Sequence, residues 1–147
     1  MELCLYNTVL TSMSHDGKAF TYDNQLASSD SNPSRREEWF TCACCPPNVL
    51  RTLGMIGGYI WTHEHRPKEQ ATDVIVNLFI SAKLSYNVDG HSVELEQKTD
   101  WPWNGDVEFS LNTSLPKASI KLRIPGWASS YEVSKALHMC NPGSTQY

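Results

Sequence analysis

The chain shows two kinds of hydrophobic periodicity, helical in its first half and alternating in its second. Apolar residues recur three and four positions apart over residues 2–13, which predicts an amphipathic helix. Gly17 suits the left-handed conformation that often ends a helix. The same spacing returns over residues 47–61, behind Pro46 and Pro47, which fit a first helical turn because its amides have no intrahelical acceptor. We therefore predict two helices before residue 66.

After residue 66 the period changes to two. The alternation predicts five strands, at residues 74–80, 83–88, 92–97, 107–111 and 119–124. Asp89 and Gly90, between the second and third of these, are typical of a tight hairpin turn. Strands joined by turn signals, with no helical pattern between them, favour an antiparallel sheet or half of a β-sandwich.

The helical half is a poor candidate for a self-standing unit. Two helices of about a dozen residues bury too little apolar surface to form a core of their own. They must either dock on the sheet or belong to a larger helical body. Residues 134–147 have no clear period and end in turn-forming residues, so we expect a frayed tail.

Composition narrows the class of function. The 147 residues are 40% hydrophobic and 19% charged, which is typical of a globular protein. Twelve Lys and Arg residues without a cluster, at a net charge of −4, argue against binding to nucleic acid or to an anionic membrane. Apolar runs are too short to cross a bilayer, and residues 1–20 do not resemble a signal peptide. The compartment stays unknown, and a cytoplasmic location follows only if the chain is complete as given.

The strongest candidate for chemistry is a group of cysteines. Three of the five cysteines fall within residues 42–45, which suits a metal or reactive-thiol site better than a disulfide framework. Cys44 and Cys45 directly precede the second predicted helix, whose amino end favours a thiolate, and a thiolate is both a nucleophile and a zinc ligand. The spacing is not that of a zinc finger, so buried structural thiols remain an alternative.

Residues 36–48 (REEWFTCACCPPN) resemble a signature of the bacterial and fungal β-L-arabinofuranosidases of glycoside hydrolase family 127. The resemblance continues upstream in residues 1–7 and 16–24. Downstream it includes residues 76–80 (VNLFI), 97–105 (QKTDWPWNG) and 122–127 (LRIPGW). These motifs occur in the order of the family and cover about residues 1–128.

The resemblance implies an α+β chain, in which a helical remnant of an (α/α)6 barrel precedes an antiparallel β-sandwich domain. Residues 1–66 would be the C-terminal part of the catalytic barrel and carry the cysteine motif. Residues 67–133 would be the β-sandwich, and residues 134–147 a divergent tail.

The resemblance also implies retaining hydrolysis of β-L-arabinofuranosides, with a carbohydrate substrate and a zinc cofactor. Cys44 would be the nucleophile and a zinc ligand, Cys45 would be a second zinc ligand, and Tyr22 would bind substrate. Cys42 lies in the motif but carries no metal role. Retaining glycosidases usually use two carboxylates, and here a thiolate would replace the nucleophilic one.

Some of the family's functional residues have no counterpart in this sequence. In the family, the acid/base glutamate and a Glu-x-Cys pair of zinc ligands lie in an earlier segment. The match to this sequence begins after that segment, at Met1. Glu2-Leu3-Cys4 spells Glu-x-Cys, but Glu2 aligns with a later helical segment, so we do not assign it metal. We therefore expect these 147 residues alone to be inactive, and to need a missing N-terminal barrel segment or an oligomer.

One alternative comes from a different class of protein. The chain could be a non-catalytic β-sandwich module that binds carbohydrate or a protein, with the cysteines as a remnant. Trp101, Trp103 and Trp127 could stack on sugar faces, although packing in the core or between domains is the expected role. His15 and His63 have no role implied by the resemblance, and the same holds for His65.

Overall fold

The structure, a computed structural model, describes residues 1–134 and divides into two compact units, Met1–Ile56 and a second that begins at Gly57. The first unit contains the helical segments and the cysteine motif, and the second contains nearly all of the sheet structure. This arrangement confirms the predicted α+β class. The expected tail over residues 134–147 lies outside the described residues except for its first position.

The predicted helix over residues 2–13 forms, but only its first turn is α-helical. Helix α1 (Glu2–Cys4) continues as a π-helical stretch (Leu5–Val9) and ends in a 3-10 turn (Leu10–Ser12). Polar side chains in this segment bond to its own carbonyls, among them Thr11 Oγ1 to the Asn7 oxygen at 2.8 Å. Such bonds compete with the regular helical pattern. Gly17 then adopts a positive φ of 71°, as expected for a chain reversal.

The second predicted helix is shorter than the segment over which its apolar spacing extends. Helix α2 (Pro47–Met55) is followed by one further turn, α3 (Gly57–Ile60), and strand β1 begins at Trp61. Gly57 and Gly58 lie where the helix is interrupted, and glycine weakens a helix because it has the most backbone freedom to lose.

Within residues 1–134, six strands form two three-stranded sheets. The first has the order β1-β2-β6, from strands Trp61–Arg66, Ala71–Val76 and Lys117–Leu122. The second has the order β3-β4-β5, from strands Ala82–Val88, His91–Thr99 and Val107–Thr113. All pairs are antiparallel except β2 with β6, which are parallel. The chain completes the whole second sheet between β2 and β6, and such a long connection allows parallel pairing.

Strand β1 is the element that the sequence did not reveal. Its residues WTHEHR are mostly polar, and four of the six are exposed. It is an edge strand with a single neighbour, a position where polar side chains are common because they discourage pairing with other chains.

The predicted hairpin turn is present, since Asp89 and Gly90 both have positive φ, of 48° and 80°.

The apolar core belongs to the second unit. Side chains from β2 and β4 pack in one cluster that joins the two sheets, and its fully buried members are Val74, Val76, Val93, Leu95 and Leu115. In Met1–Ile56, by contrast, the only buried residues are Ser12 and Pro46. The helical unit therefore has no apolar core of its own, as its size predicted.

Among the helices of residues 1–134, none combines the length and the hydrophobicity that a membrane-spanning segment needs.

Asp73 is a buried carboxylate at the centre of the first sheet. Its side chain is 1% exposed and accepts hydrogen bonds from Arg66 at 2.8 and 3.1 Å and from Ser119 at 2.7 Å. Lys121 Nζ lies 2.8 Å away. The hydrogen bond from Lys121 is the main cause that lowers the pKa of Asp73, followed by the bond from Ser119, and the charge of Arg66 adds to them. The group is therefore ionised and ties β2 to both of its neighbours.

Replacing Asp73 with asparagine is expected to lower the free energy of unfolding by about 2 kcal/mol, because two cations lose their buried partner. Since the folded pKa of Asp73 is lowered, its contribution is present above about pH 4 and is lost as the pH falls through that pKa. Urea unfolding at pH 7 and pH 3 measures both effects. The exposed Asp106→Asn is the control. An Asp73→Asn protein as stable as its parent at pH 7 would contradict the prediction.

Candidate active site

Cys44 and Cys45 lie where the sequence predicted them, directly before a helix. The backbone N–H of Asn48 donates to the Cys45 carbonyl at 3.0 Å, and that of Val49 donates to the Pro46 carbonyl at 3.0 Å. These two bonds form the turn that opens α2. Both thiols are exposed and free, so they are accessible to a ligand, and the reading of the motif as buried structural thiols does not fit.

Tyr22 reaches this pair from a distant part of the sequence. Its hydroxyl lies 3.0 Å from Cys44 Sγ, across 22 positions of the chain. The ring of Phe40 packs against the Tyr22 ring, with centroids 5.3 Å apart and planes inclined by 54°. Phe40 belongs to the cysteine motif, so one short segment carries both the thiols and the aromatic contact that supports Tyr22. Phe40 had no predicted role, and no local pattern in the sequence distinguishes it as a functional residue.

The two thiols are in direct contact, with Sγ atoms 3.3 Å apart. The hydrogen bond from the Tyr22 hydroxyl is the main cause that lowers the pKa of Cys44, and contacts with Cys45 and Cys42 lower it further. The neighbouring Cys44 raises the pKa of Cys45 in turn. The pKa of Tyr22 is also raised, chiefly by its hydrogen bond with Cys44. This division makes Cys44 the most acidic of the three groups, with the Tyr22 hydroxyl as its hydrogen-bond donor.

Replacing Tyr22 with phenylalanine tests this division of charge. The variant keeps the ring that contacts Phe40 but loses the donor, so the pKa of Cys44 is expected to rise. Alkylation of Cys44 by iodoacetamide at pH 7 should slow by about tenfold, the order expected for loss of one hydrogen bond to a charged group. Mass spectrometry with fragmentation locates the label, and Tyr59→Phe is the control. Superimposable pH–rate profiles for parent and variant would refute the role of Tyr22.

The thiol pair offers two metal donors. Within residues 1–134, no group of three or more His, Cys, Asp and Glu side chains is placed to hold a metal ion. Glu2 and Cys4 therefore do not join Cys44 and Cys45 in one cluster. The donor chemistry still suits zinc, since two soft thiolates are half of a common tetrahedral ligand set.

An open cavity of about 300 Å³ in the same unit is separate from the thiols. Its lining residues are Leu10, Met13, Ser14, His15 and Arg36. Arg36, the first residue of the cysteine motif, donates from Nε to the Thr11 carbonyl at 3.1 Å. This bond ties the segment that leads into the cysteines to the N-terminal helical segment.

The remaining candidates lie in the second unit. His63 stacks on Tyr86 with ring centroids 4.3 Å apart, and His65 Nε2 lies 2.7 Å from an Asp89 carboxylate oxygen. Both histidines have structural partners, as expected for residues without an implied role. Trp101 packs against the core residue Phe79 at 5.7 Å, but Trp103 is 85% exposed, which differs from the expected packing role.

Comparison with known proteins finds one family in both units. Residues 1–58 match the family described as the β-L-arabinofuranosidase GH127 catalytic domain, and residues 73–136 match its middle domain. The chain is 33% identical over 141 residues to a non-reducing end β-L-arabinofuranosidase of Bifidobacterium longum subsp. longum. That alignment covers 87% of this chain and 20% of the relative.

Two solved structures are similar as well. A GH127 β-L-arabinofuranosidase from Geobacillus stearothermophilus T6 superimposes with a TM-score of 0.69 at 34% identity, over 88% of this chain and 21% of that one. A second GH127 β-arabinofuranosidase gives 0.65 at 37% identity, over 84% and 18%. The chain thus spans about a fifth of the length of the relatives it matches. Through matches to both its catalytic and its middle domain, the chain belongs to glycoside hydrolase family 127.

Proposed function

We propose that this chain supplies the nucleophile of a retaining glycoside hydrolase that acts on β-L-arabinofuranosides. One observation carries the proposal: the Tyr22 hydroxyl lies 3.0 Å from Cys44 Sγ and lowers the pKa of that thiol. The names of the relatives supply the substrate class. An exposed thiol whose pKa is lowered by a hydrogen-bond donor is a good nucleophile, because the thiolate is the reactive form.

The proposed reaction has two displacements. Cys44 Sγ attacks the anomeric carbon, the bond from that carbon to the leaving oxygen breaks, and a general acid protonates the oxygen. A water molecule then attacks the anomeric carbon of the thioglycoside and gives a proton to the conjugate base of the general acid, while the carbon–sulfur bond breaks and Cys44 leaves as the thiolate again. Two inversions at one carbon retain its configuration. Tyr22 stabilises the thiolate before attack and again when it departs.

We propose zinc as the cofactor, with Cys44 and Cys45 as two of its ligands. The metal would hold both thiols ionised and fix their position. The other two ligands and the acid/base glutamate would come from outside the described residues, in the barrel segment that precedes this region in the family. On this proposal the 147 residues alone bind zinc weakly and do not hydrolyse glycosides.

The test is a graft. Residues 1–134 replace the matching segment of the Bifidobacterium longum relative, so that the remaining four-fifths of that protein supplies the missing groups. We expect turnover of an aryl β-L-arabinofuranoside, a first product of retained anomeric configuration by proton NMR, and about one zinc per chain. A graft that binds zinc and releases a product of inverted configuration would refute the mechanism.

A further inference from the structure

The connection between β4 and β5 exposes an aromatic surface that the thiol chemistry does not use. Trp101 and Trp103 lie in this connection, and Trp127 follows β6; these three residues form what we call the tryptophan platform. Trp101 and Trp127 are in contact in a tilted arrangement, with ring centroids 5.3 Å apart and an angle of 31° between their planes. Trp127 is 55% exposed and Trp103 is 85% exposed. Such a concentration of exposed indole is uncommon on a surface without a ligand.

The platform is anchored to the core. Trp101 packs on Phe79, and its ring lies 4.0 Å from the position that a side chain on Gly105 would take. Trp127 therefore contacts a ring that is itself packed on the core, and 55% of its surface remains exposed. Aromatic rings held in this way lose little conformational entropy when a ligand stacks on them.

The connection that carries Trp103 is held by its own hydrogen bonds. Thr99 Oγ1 donates to the Asp106 carbonyl at 2.7 Å and accepts from the Trp101 N–H at 3.1 Å. The Asn104 amide oxygen accepts from the Asp106 N–H at 3.1 Å, and the Trp103 N–H donates to the Asp100 carbonyl at 2.9 Å. Trp103 is thus presented outward by an ordered turn.

We propose that the tryptophan platform is a carbohydrate-binding site, separate from the site at Cys44. The electron-rich face of an indole attracts the polarised C–H groups on the apolar face of a sugar ring. Asp100 and Asp106 lie on either side of Trp103 in the sequence of the same connection, and their exposed carboxylates can accept hydrogen bonds from sugar hydroxyls. An exposed patch of aromatic rings with acidic neighbours fits a neutral polyhydroxylated ligand better than an apolar protein surface, which would leave those carboxylates desolvated.

The experiment uses the 147-residue chain and native gels that contain soluble arabinan, galactan or xylan. We expect slower migration in at least one of them. Trp103→Ala should weaken this binding by about tenfold, the order of one lost aromatic stacking contact, and Trp103→Phe should restore part of it. Because the Trp103 side chain is mostly exposed, its removal leaves the core packing intact. Tyr59→Ala, at a partly exposed aromatic residue of the same unit, is the matched control.

The choice of arabinan rests on the proposed function, whereas the location of the site does not. Cys44→Ala should therefore bind as the parent does, and binding to galactan or xylan that Trp103→Ala abolishes supports the platform equally well. Three results would each overturn the proposal: no retardation by any of the three polysaccharides, equal retardation of parent and Trp103→Ala, or loss of retardation in Cys44→Ala with Trp103→Ala unaffected.

Discussion

Replacing Cys44 with serine in the graft is expected to reduce hydrolysis of an aryl β-L-arabinofuranoside by roughly 10⁴-fold, the scale seen when an enzyme loses its nucleophile. Serine has nearly the same shape, but at neutral pH its hydroxyl is not ionised, and the hydrogen bond from Tyr22 cannot compensate for so large a difference in acidity. The measurement is kcat/KM, followed by release of the aryl group.

The chain provides a matched control for this substitution. Cys4 is also a free and exposed thiol of the same unit, and it is absent from the proposed site. Cys4→Ser should therefore leave kcat/KM unchanged. Cys45→Ser should lower both the zinc content and the rate, because Cys45 is proposed as a ligand and not as the attacking atom. A Cys44→Ser graft with the rate of its parent would exclude Cys44 as the nucleophile.

The second large effect concerns stability. Leu95→Ala is expected to lower the free energy of unfolding by about 3 kcal/mol, since Leu95 is fully buried in β4 within the cluster that joins the two sheets. Leu50→Ala, the same chemical change on helix α2, should cost less than about 0.5 kcal/mol, because Leu50 is 58% exposed and alanine favours a helix.

Urea unfolding followed by circular dichroism measures both variants. The comparison tests whether the stability of the chain resides in the second unit, as the distribution of buried residues indicates. Equal losses for Leu95→Ala and Leu50→Ala would show that the apolar face of α2 is covered in solution. The exposed leucines of the helical unit would then be in contact with another protein surface. The proposed barrel, which other segments complete, requires the same kind of contact.

The sequence by itself determined the class of fold and the position of the thiols. Within residues 1–134, period-two alternation and the Asp89-Gly90 turn predicted five of the six strands, although β2 spans Ala71–Val76 and not the predicted residues 74–80. Side chains on alternate sides of a strand leave a direct record in the sequence. The prolines before α2 placed Cys44 and Cys45 at a helix start for a similarly local reason. The order of the motifs indicated the family that the comparisons show.

Only the tertiary structure decided the features that depend on distant residues. The contact between Tyr22 and Cys44 spans 22 positions, and burial of Asp73 requires β6 to pair with β2 in parallel from 46 positions away. The polar strand β1 exists because β2 offers it an edge, since its own residues show no regular alternation of apolar and polar side chains. Local patterns record which face of an element is apolar. Which strands pair and which side chains meet is decided by the free energy of packing the whole chain. The strand order and the pKa shifts of the site residues therefore become visible only in the tertiary structure.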